Sequence, residues 1–358
     1  MSTVVLEPAA HAMVWLGLGR PQERLAVPTV ALADGDVLVE IELATICGSD
    51  VHSVRGDRSS PAPSVLGHEH VGRITALGAG AVLADGRPAQ IGDRVVWSVA
   101  VSCGDCRRCA AGMPQKCLSL RKGGHERITS VWELNGAFAT HAHLPRGSAI
   151  VQVAEEIPAA VLAPSSCGTA TAWAAVEAAL DGRSGVGLEV LITGGGLVGL
   201  AACAIMADRG ARVTLSDPSP TRREQARSFG AAVVLDPRTD AMPVVDAVIE
   251  ASGAPAAVVS AIAALDIGGV LALVGSVFPA PPVELRAEDL VRGLGTIRGV
   301  HNYTPQHLVD ALAWVTEAHE RYPFSELVST AVALDDLDAG IALATAGEHV
   351  RVGVRPRG

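Results

Sequence analysis

The sequence has few aromatic residues, few lysines and no basic stripe, and these shortages argue against several classes of protein. Aromatic residues make up 3% of the chain, and its only lysines are Lys116 and Lys122. The formal net charge is −10 and the isoelectric point is about 5.5, which argues against nucleic acid or an acidic membrane as a partner. The chain opens without a positively charged region followed by an apolar one, so no secretory signal is predicted.

One uncharged segment, residues 190–207, has about the length that spans a membrane. Three consecutive glycines interrupt it early, and Glu189 and Asp208 bracket it closely. We therefore interpret it as a buried strand that leads into a buried helix.

The length of 358 residues predicts two or three domain-sized units, and a hydrophobic content of 49% indicates a compact globular protein. The first part predicts short strands, as at 37–43, 71–77 and 93–99. From about 184 to 301, apolar strands alternate with helices, which is the pattern of a doubly wound parallel sheet. A further helix is predicted at 304–318, and the tail at 327–355 is expected to return to the first domain. The predicted fold class is therefore α/β.

Four cysteines form a CxxCxxC run with a fourth cysteine eight residues later: Cys103, Cys106, Cys109 and Cys117. Four thiolates at this spacing can close a tetrahedral shell around one Zn²⁺ and leave no position open for chemistry. Disulfides or free thiols are the alternative. The metal-type spacing among seven cysteines favours a reducing cytoplasm.

A glycine-rich GxGxxG motif stands at the predicted strand-to-helix junction. Its glycines allow a tight turn, a close approach to a pyrophosphate and close helix packing, and the helix N-terminus stabilises phosphate charge. Asp217 closes the next strand, where a carboxylate can hold a ribose 2′-OH and repel a 2′-phosphate, so NAD is favoured over NADP. Arg222 and Arg223 weaken this preference because they can grip a phosphate. The motif residues are Gly194, Gly195, Gly196, Leu197, Val198 and Gly199.

A second set of metal-binding side chains lies before the four-cysteine lobe. Cys47 and His68 can bind zinc, with Glu69 or a third cysteine completing an open site. His70 is a rival ligand, because it shares a strand face with His68 if that segment is extended.

The whole chain resembles the zinc-dependent medium-chain alcohol dehydrogenase family. The resemblance rests on the GHE segment at 67–69, the four-cysteine lobe, the GxGxxG motif and Asp217, which follow the family order and spacing over almost the full length. It implies a GroES-like β-rich catalytic domain and a Rossmann-type NAD-binding domain. The implied domains are residues 1–167, with the zinc lobe at about 100–120, then 168–301, and a return to the catalytic domain at 302–358.

The resemblance also implies a role for each site residue. A catalytic zinc would be held by Cys47, His68 and Cys167, with Glu69 as an alternate ligand, in addition to the structural zinc in the lobe. Asp50 would orient His68, and Ser49 would pass the substrate proton through the cofactor ribose to His52. The cofactor residues outside the glycine motif would be Thr171, Asp217, Arg222, Val277 and His301.

The activity implied is hydride transfer between an alcohol or carbonyl and NAD(H), with zinc lowering the pKa of the bound hydroxyl. A dinucleotide-binding sensor without turnover is the alternative from another class. Zinc-free quinone reduction is disfavoured by the zinc ligands and the cysteine lobe.

Within the family, the chain most resembles the phosphonate-associated alcohol dehydrogenases, through its WSV, PQKC, second GHE and GVHNY segments. An anionic phosphonate needs cationic donors in charge-assisted hydrogen bonds. Polyol, amino-alcohol and plain alcohol substrates stay open. The predicted donors are Lys122, His125, Arg127 and His301, with Arg55 and Arg58 as second choices.

The family resemblance further implies a homodimer or a homotetramer. The strand-like run at 269–274 is predicted to lie at the edge of the sheet that pairs across a two-fold axis in relatives.

Overall fold

The computed structural model describes residues 2–356, which divide into two compact units. Unit 1 contains residues 2–167, 304–319 and 324–356, and unit 2 contains residues 168–303 and 320–323. The sequence predicts changes of domain after residues 167 and 301. In the structure, the chain changes unit after Cys167 and after Tyr303, and the short segment Glu320–Pro323 belongs to unit 2.

The strands follow short apolar runs, and most of them are bounded by glycine, proline or aspartate. In chain order they are β1 (Ser2–Trp15), β2 (Glu23–Leu32), β3 (Val37–Ile46), β4 (Ser64–Val65), β5 (Glu69–Leu77), β6 (Arg94–Val101), β7 (Arg121–Lys122), β8 (His141–Leu144), β9 (Ser148–Gln152), β10 (Glu189–Thr193), β11 (Arg212–Ser216), β12 (Val233–Leu235), β13 (Val245–Glu250), β14 (Leu265–Leu273), β15 (Thr296–Gly299), β16 (Val328–Ala333) and β17 (Arg351–Arg355).

The helices are short, and among the described residues none is long and apolar enough to cross a membrane. The uncharged segment at 190–207 forms the end of a strand and most of a buried helix, as predicted. In chain order the helices are α1 (Gly48–Arg55), α2 (Arg107–Ala110), α3 (Ala159–Pro164), α4 (Ala170–Leu180), α5 (Leu197–Asp208), α6 (Pro220–Ser228), α7 (Pro255–Ala263), α8 (Ala287–Arg292), α9 (Pro305–Ala318) and α10 (Leu337–Ala346).

Unit 2 is a doubly wound sheet of parallel strands, which confirms the predicted Rossmann-type fold. The strand order is β12-β11-β10-β13-β14-β15, and every neighbouring pair is parallel. The central strand β10 is apolar and buried on both faces, as a strand covered by helices on both sides must be. Helix α5 is apolar all round and is also buried.

Unit 1 is built from sheets whose strands pair antiparallel except for β16 and β17, which are parallel, and this confirms the β-rich GroES-like half of the prediction. The larger sheet has the order β16-β17-β3-β5-β6-β7, with β8 pairing with β3 and β9 with β6, and the smaller sheet has the order β2-β1-β4. Alternate residues of β3, including Val37, Val39 and Ile41, enter the main hydrophobic core, as the period of two in a strand requires. The ends of β3 and β5 carry the metal-binding residues.

Residues 269–273 lie in β14, near the end of the sheet as predicted, and Val274 follows this strand. They do not form the edge, because β14 has β13 on one side and β15 on the other. The edge strand on this side of the sheet is β15. This strand has only four residues, Thr296–Gly299, and it is too short and too polar to be recognised from hydrophobicity alone.

Candidate functional site

Three predicted ligands come together in unit 1. Cys47 follows β3 directly, His68 precedes β5 directly, and Cys167 lies in the π-helical turn Ser165–Thr169. One ligand atom from each residue lies within 4.8 Å of the other two. Two sulfurs and an imidazole nitrogen are a donor set that suits zinc with one position left open, as in catalytic zinc sites. The residues present therefore fit the metal.

Asp50 and Ser49 hold the imidazole of His68 from its two sides. The Nδ1 atom of His68 lies 3.4 Å from Oδ1 of Asp50, and its Nε2 atom lies 3.1 Å from Oγ of Ser49. The Asp50 carboxylate also accepts the backbone N–H of Cys47 at 3.0 Å and that of Gly67 at 3.3 Å. Asp50 thus ties both ligand-bearing loops together, and it is itself buried.

The two thiols of the ligand set differ in acidity. A hydrogen bond from Cys167 holds the pKa of the Cys47 thiol well below its usual range, and the charges of Arg351 and His68 act in the same direction against burial. The same hydrogen bond, with burial, holds the pKa of Cys167 well above its usual range. A metal ligand must be a thiolate, so zinc binding at this site requires that both thiols lose their protons.

Glu69 is occupied by Arg351, a residue that the sequence analysis missed. The guanidinium donates from Nε to Oε2 at 2.6 Å and from Nη2 to Oε1 at 2.8 Å, and the Thr45 hydroxyl donates to Oε2 at 2.6 Å. Burial raises the pKa of Glu69 to about 7, although Arg351 opposes this shift. Nη2 of Arg351 also lies 3.7 Å from the Cys47 sulfur. Both oxygens of Glu69 therefore have partners other than a metal.

His70 and His52 lie away from the three ligand atoms. The ring of His70 stacks on Trp97, with 3.6 Å between ring centroids and 8° between planes, and His70 does not belong to the ligand set. Nδ1 of His52 lies 2.9 Å from Oδ2 of Asp57. His52 is half-buried on α1, so a proton on its ring is within reach of solvent.

The four lobe cysteines also come together as predicted. Their sulfurs are 3.3 Å apart for Cys103 and Cys117, 3.5 Å for Cys106 and Cys109, and 3.9 Å for Cys106 and Cys117. A tetrahedron with Zn–S bonds near 2.3 Å has sulfurs about 3.8 Å apart. Backbone N–H groups of Cys103 and Leu118 point at two of these sulfurs. The lobe therefore fits a closed zinc site. None of the seven cysteines forms a disulfide.

The glycine motif forms a tight turn at the carboxyl end of β10. Gly194 has a φ of +96°, and a Cβ on Gly199 would lie 1.8 Å from the Gly194 carbonyl oxygen. Gly196 is the N-cap of α5, which begins with Leu197 and Val198. The turn therefore presents the N-terminus of α5 as the site for a phosphate group.

Asp217 lies beside this turn, at the end of β11. Its Oδ2 accepts the N–H of Gly195 at 2.7 Å, and its Oδ1 accepts the N–H of Ser219 at 2.8 Å. Arg222 donates from Nη1 to the Gly195 carbonyl at 3.2 Å. Arg223 instead donates to the Asp217 carbonyl at 2.7 Å and pairs with Asp236 at 3.2 Å. Of the two arginines, only Arg222 lies over the glycine turn.

The remaining predicted cofactor residues are in unit 2 as well. Thr171 is half-buried in the first turn of α4. Val277 and His301 line one cleft of about 690 Å³ beyond the carboxyl ends of β14 and β15, together with Phe278. Ligands of doubly wound sheets bind beyond the carboxyl ends of the strands, so this cleft is a reasonable place for part of a dinucleotide.

One of the predicted substrate residues, His125, lies beside the metal ligand His68. Its ring centroid is 4.6 Å from that of His68, and burial holds its pKa well below the usual range. Gly124 makes this contact possible, because a Cβ there would lie 2.3 Å from the Gly67 carbonyl oxygen. His125 is therefore held against a metal ligand, and its side chain is half-buried.

Lys122 and Arg127 have different surroundings. Burial, with the charges of Lys116 and Arg58, lowers the pKa of Lys122 to about 8, while the charge of Cys167 opposes the shift. Arg127 donates from both Nε and Nη2 to the Ala62 carbonyl, the first at 2.7 Å. Arg127 thus binds the backbone of the loop that precedes β4. The residues next to Arg127 in the sequence do not predict this contact.

Comparison with known proteins gives a consistent family. The model described as "Alcohol dehydrogenase GroES-like domain" matches residues 33–155, and that described as "Zinc-binding dehydrogenase" matches residues 198–317. The chain is 30% identical to 5-exo-hydroxycamphor dehydrogenase of Pseudomonas putida, over 92% of this chain and 94% of that one. It is 31% identical to geraniol dehydrogenase of Castellaniella defragrans, over 96% of each chain. The structure of an alcohol dehydrogenase from Thermotoga maritima superposes with a TM-score of 0.91 at 28% identity, covering 97% of this chain and 99% of that one.

Proposed function

The chain belongs to the zinc-dependent medium-chain alcohol dehydrogenase family, and we propose that it is an oxidoreductase that interconverts an alcohol and a carbonyl with NAD(H) and zinc. The observation that carries the proposal is the convergence of Cys47, His68 and Cys167 within 4.8 Å, with Ser49 beside the imidazole. At these residues a bound zinc supplies Lewis-acid polarisation of the substrate oxygen. The nicotinamide of a bound dinucleotide supplies the hydride donor or acceptor.

The proton path proposed for this chain begins at Ser49. Its Oγ lies next to the ligand nitrogen of His68, so it is near the place where a substrate hydroxyl would bind, and it can accept that proton. His52, three residues further along α1, holds a proton between its Nδ1 and Asp57 at 2.9 Å. Its partial exposure lets it exchange that proton with solvent.

We propose NAD as the preferred dinucleotide. Asp217 places a carboxylate at the end of β11, where a ribose 2′-OH binds in this fold and a 2′-phosphate is repelled. Arg223 pairs with Asp236, whereas Arg222 donates to the Gly195 carbonyl within the glycine turn, so Arg222 is the arginine placed to weaken that repulsion. We expect a higher kcat/KM with NAD than with NADP, and Asp217→Ser should narrow the gap. A wild-type preference for NADP would overturn this part of the proposal.

An anionic substrate, such as a hydroxyphosphonate, is supported by the cations near the ligand set. Lys122 interacts electrostatically with Cys167, Arg58 and Lys116, and an anion among these groups would relieve the repulsion between the cations. Arg127, whose Nε and Nη2 donate to the Ala62 carbonyl, stays a predicted donor through its remaining N–H groups. His301 lies in unit 2 and stays a predicted donor. A polyol, an amino alcohol or a simple alcohol is the alternative substrate class.

Steady-state kinetics on matched substrates test the anionic class. Lys122→Met and Arg58→Met should each raise KM for a hydroxyphosphonate by about tenfold, since a charge-assisted hydrogen bond contributes roughly 1.5–3 kcal/mol. KM for a neutral alcohol of similar size should change little. Arg20→Met is the control, because Arg20 is exposed and pairs only with Glu23 in the described contacts. Equal losses on both substrates would contradict the proposal.

Turnover with NAD and NADP on a panel of alcohols and carbonyl compounds, with zinc counted per subunit, tests the function as a whole. We expect two zinc ions per subunit, one for each ligand set, and turnover that ceases when the zinc is removed. Tight NADH binding with two zinc ions but no turnover on any substrate would instead favour a dinucleotide sensor.

A further inference from the structure

A buried carboxylate lies at the carboxyl end of β13. It belongs neither to the ligand set nor to the glycine motif. Glu250 is 0% exposed and pairs in register with Thr193 at the end of β10. Its Oε1 accepts the N–H of Ser252 at 2.8 Å, the hydroxyl of Ser252 at 2.5 Å and the N–H of Gly253 at 2.8 Å. The hydroxyl of Thr193 lies 3.4 Å from the same oxygen. Four donors from two strand ends therefore converge on one atom.

The main chain of Glu250 extends this connection to a third strand. Its carbonyl oxygen accepts the N–H groups of Val274 and Gly275, each at 2.9 Å. These residues directly follow β14. Glu250 thus holds the chain ends that follow β10, β13 and β14, which are three neighbours in the sheet.

The segment that Glu250 fixes forms the wall behind the phosphate-binding turn. A Cβ on Gly194 would lie 2.9 Å from the Ser252 nitrogen and 3.0 Å from the Ser252 Cα. The backbone of Ser252 therefore touches the first glycine of the motif. A small displacement of Ser252 would push on Gly194, and so on the backbone that approaches the pyrophosphate.

We propose that Glu250 is a positioning residue for dinucleotide binding, which fixes the Ser252 turn against Gly194 so that the phosphate-binding turn is formed before the cofactor arrives. This inference rests on the proposed function, because it assumes that a dinucleotide binds at the glycine motif. Pre-organisation of this kind acts on affinity, since a preformed turn has less ordering to undergo on binding. It does not require that Glu250 touch the cofactor.

The two oxygens of Glu250 suggest a conservative test. Oε2 is buried and, among the described residues, accepts no hydrogen bond. Glu250→Gln keeps an acceptor for the four contacts but replaces the other oxygen by an NH2 group, whereas Glu250→Ala removes the acceptor. Ser252→Ala removes the shortest of the four contacts and keeps Glu250. Glu189→Gln is the matched control, because Glu189 is an exposed carboxylate at the opposite end of β10, where it pairs with Arg212 at 3.2 Å.

The readouts are the Kd for NADH by fluorescence titration, kcat at saturating cofactor, zinc content and the melting temperature without ligand. Glu250→Ala should raise the Kd for NADH by about tenfold, or about 1.4 kcal/mol, and Ser252→Ala should raise it in the same direction, with kcat and zinc content kept. Glu250→Gln, which keeps an acceptor for the four contacts, should bind NADH more tightly than Glu250→Ala. Glu189→Gln should bind like the wild type. If Glu250→Ala and Ser252→Ala bind NADH like a wild type that turns over, the positioning role is wrong and the proposed function stands. A wild type that binds neither NADH nor NADPH overturns both.

Discussion

Among the zinc ligands of unit 1, Cys47 is the one we choose to distinguish a loss of turnover from a loss of stability. It lies at the junction of β3 and α1, and its backbone N–H, not its sulfur, donates to Asp50 at 3.0 Å. Cys47→Ser therefore removes a zinc ligand and leaves that backbone contact in place. We expect turnover to fall to background, with NADH affinity and melting temperature close to those of the wild type. Normal turnover by Cys47→Ser would show that the catalytic ligands are assigned wrongly.

The second prediction at the residue scale concerns Arg351. It forms a two-point ion pair with Glu69 inside unit 1, and removing one partner of a buried pair leaves an uncompensated charge. Arg351→Met should lower the free energy of unfolding by about 3–5 kcal/mol, measured by urea titration. The double variant Glu69→Gln/Arg351→Met should recover part of that loss. A single variant as stable as the wild type would mean that the pair contributes nothing to folding.

The sequence reveals zinc ligands but not the partners that hold them. Cys47, His68 and the lobe cysteines belong to short motifs whose spacing carries the chemistry. Arg351 is 282 residues from Glu69, and only the pairing of β17 with β3 brings it there. The contact of Arg127 with the Ala62 carbonyl is hidden for the same reason, because its acceptor is 65 residues away. Polar pairs between residues so far apart in the sequence produce no local sequence pattern from which they could be predicted.

At the scale of elements, the four-cysteine lobe is held by few apolar contacts of its own. It contains only the four-residue helix α2 and a short 3₁₀ turn, Pro114–Lys116, and its sulfurs converge at its centre. Binding a structural zinc contributes directly to folding free energy.

Cys106→Ser should therefore reduce zinc from two ions per subunit to one and lower the melting temperature by about 5 °C. Metal analysis and calorimetry measure these changes. Arg107→Ala is the control, since Arg107 is exposed on the same helix and is not a zinc ligand. Two zinc ions retained in Cys106→Ser would contradict the structural site.

Long elements with a strong pattern are predictable, and short elements are not. The run of apolar residues and glycines around 190–207 predicts β10 and α5 because both are buried on all sides. By contrast, β15 has four residues, none of them fully buried, so neither alternation nor a continuous apolar run identifies it. The edge of the sheet was consequently assigned to β14.

At the scale of the whole molecule, the corrected edge is the surface at which we expect self-association. Among the described residues β15 pairs only with β14, so its other side offers unpaired backbone groups. Ile267, Val291 and Leu294 of the same unit are 76%, 71% and 72% exposed. A hydrogen bond of 2.7 Å from the Gly268 N–H to the Gly293 carbonyl joins the two chain segments that carry Ile267 and Leu294. An exposed apolar cluster next to an open edge is typical of a surface that a partner covers.

We expect a second copy of the chain to cover this surface, which gives a dimer in sedimentation at micromolar concentration. The double variant Ile267→Lys/Leu294→Lys should sediment as a monomer, because lysines on a sheet edge and in an apolar patch oppose pairing. Val186→Lys is the control, since Val186 is 74% exposed in the same unit but lies before β10, away from β15. A wild-type monomer would refute self-association. If the double variant stays dimeric, or if the wild type is a tetramer and the double variant stays tetrameric, the interface lies on another surface.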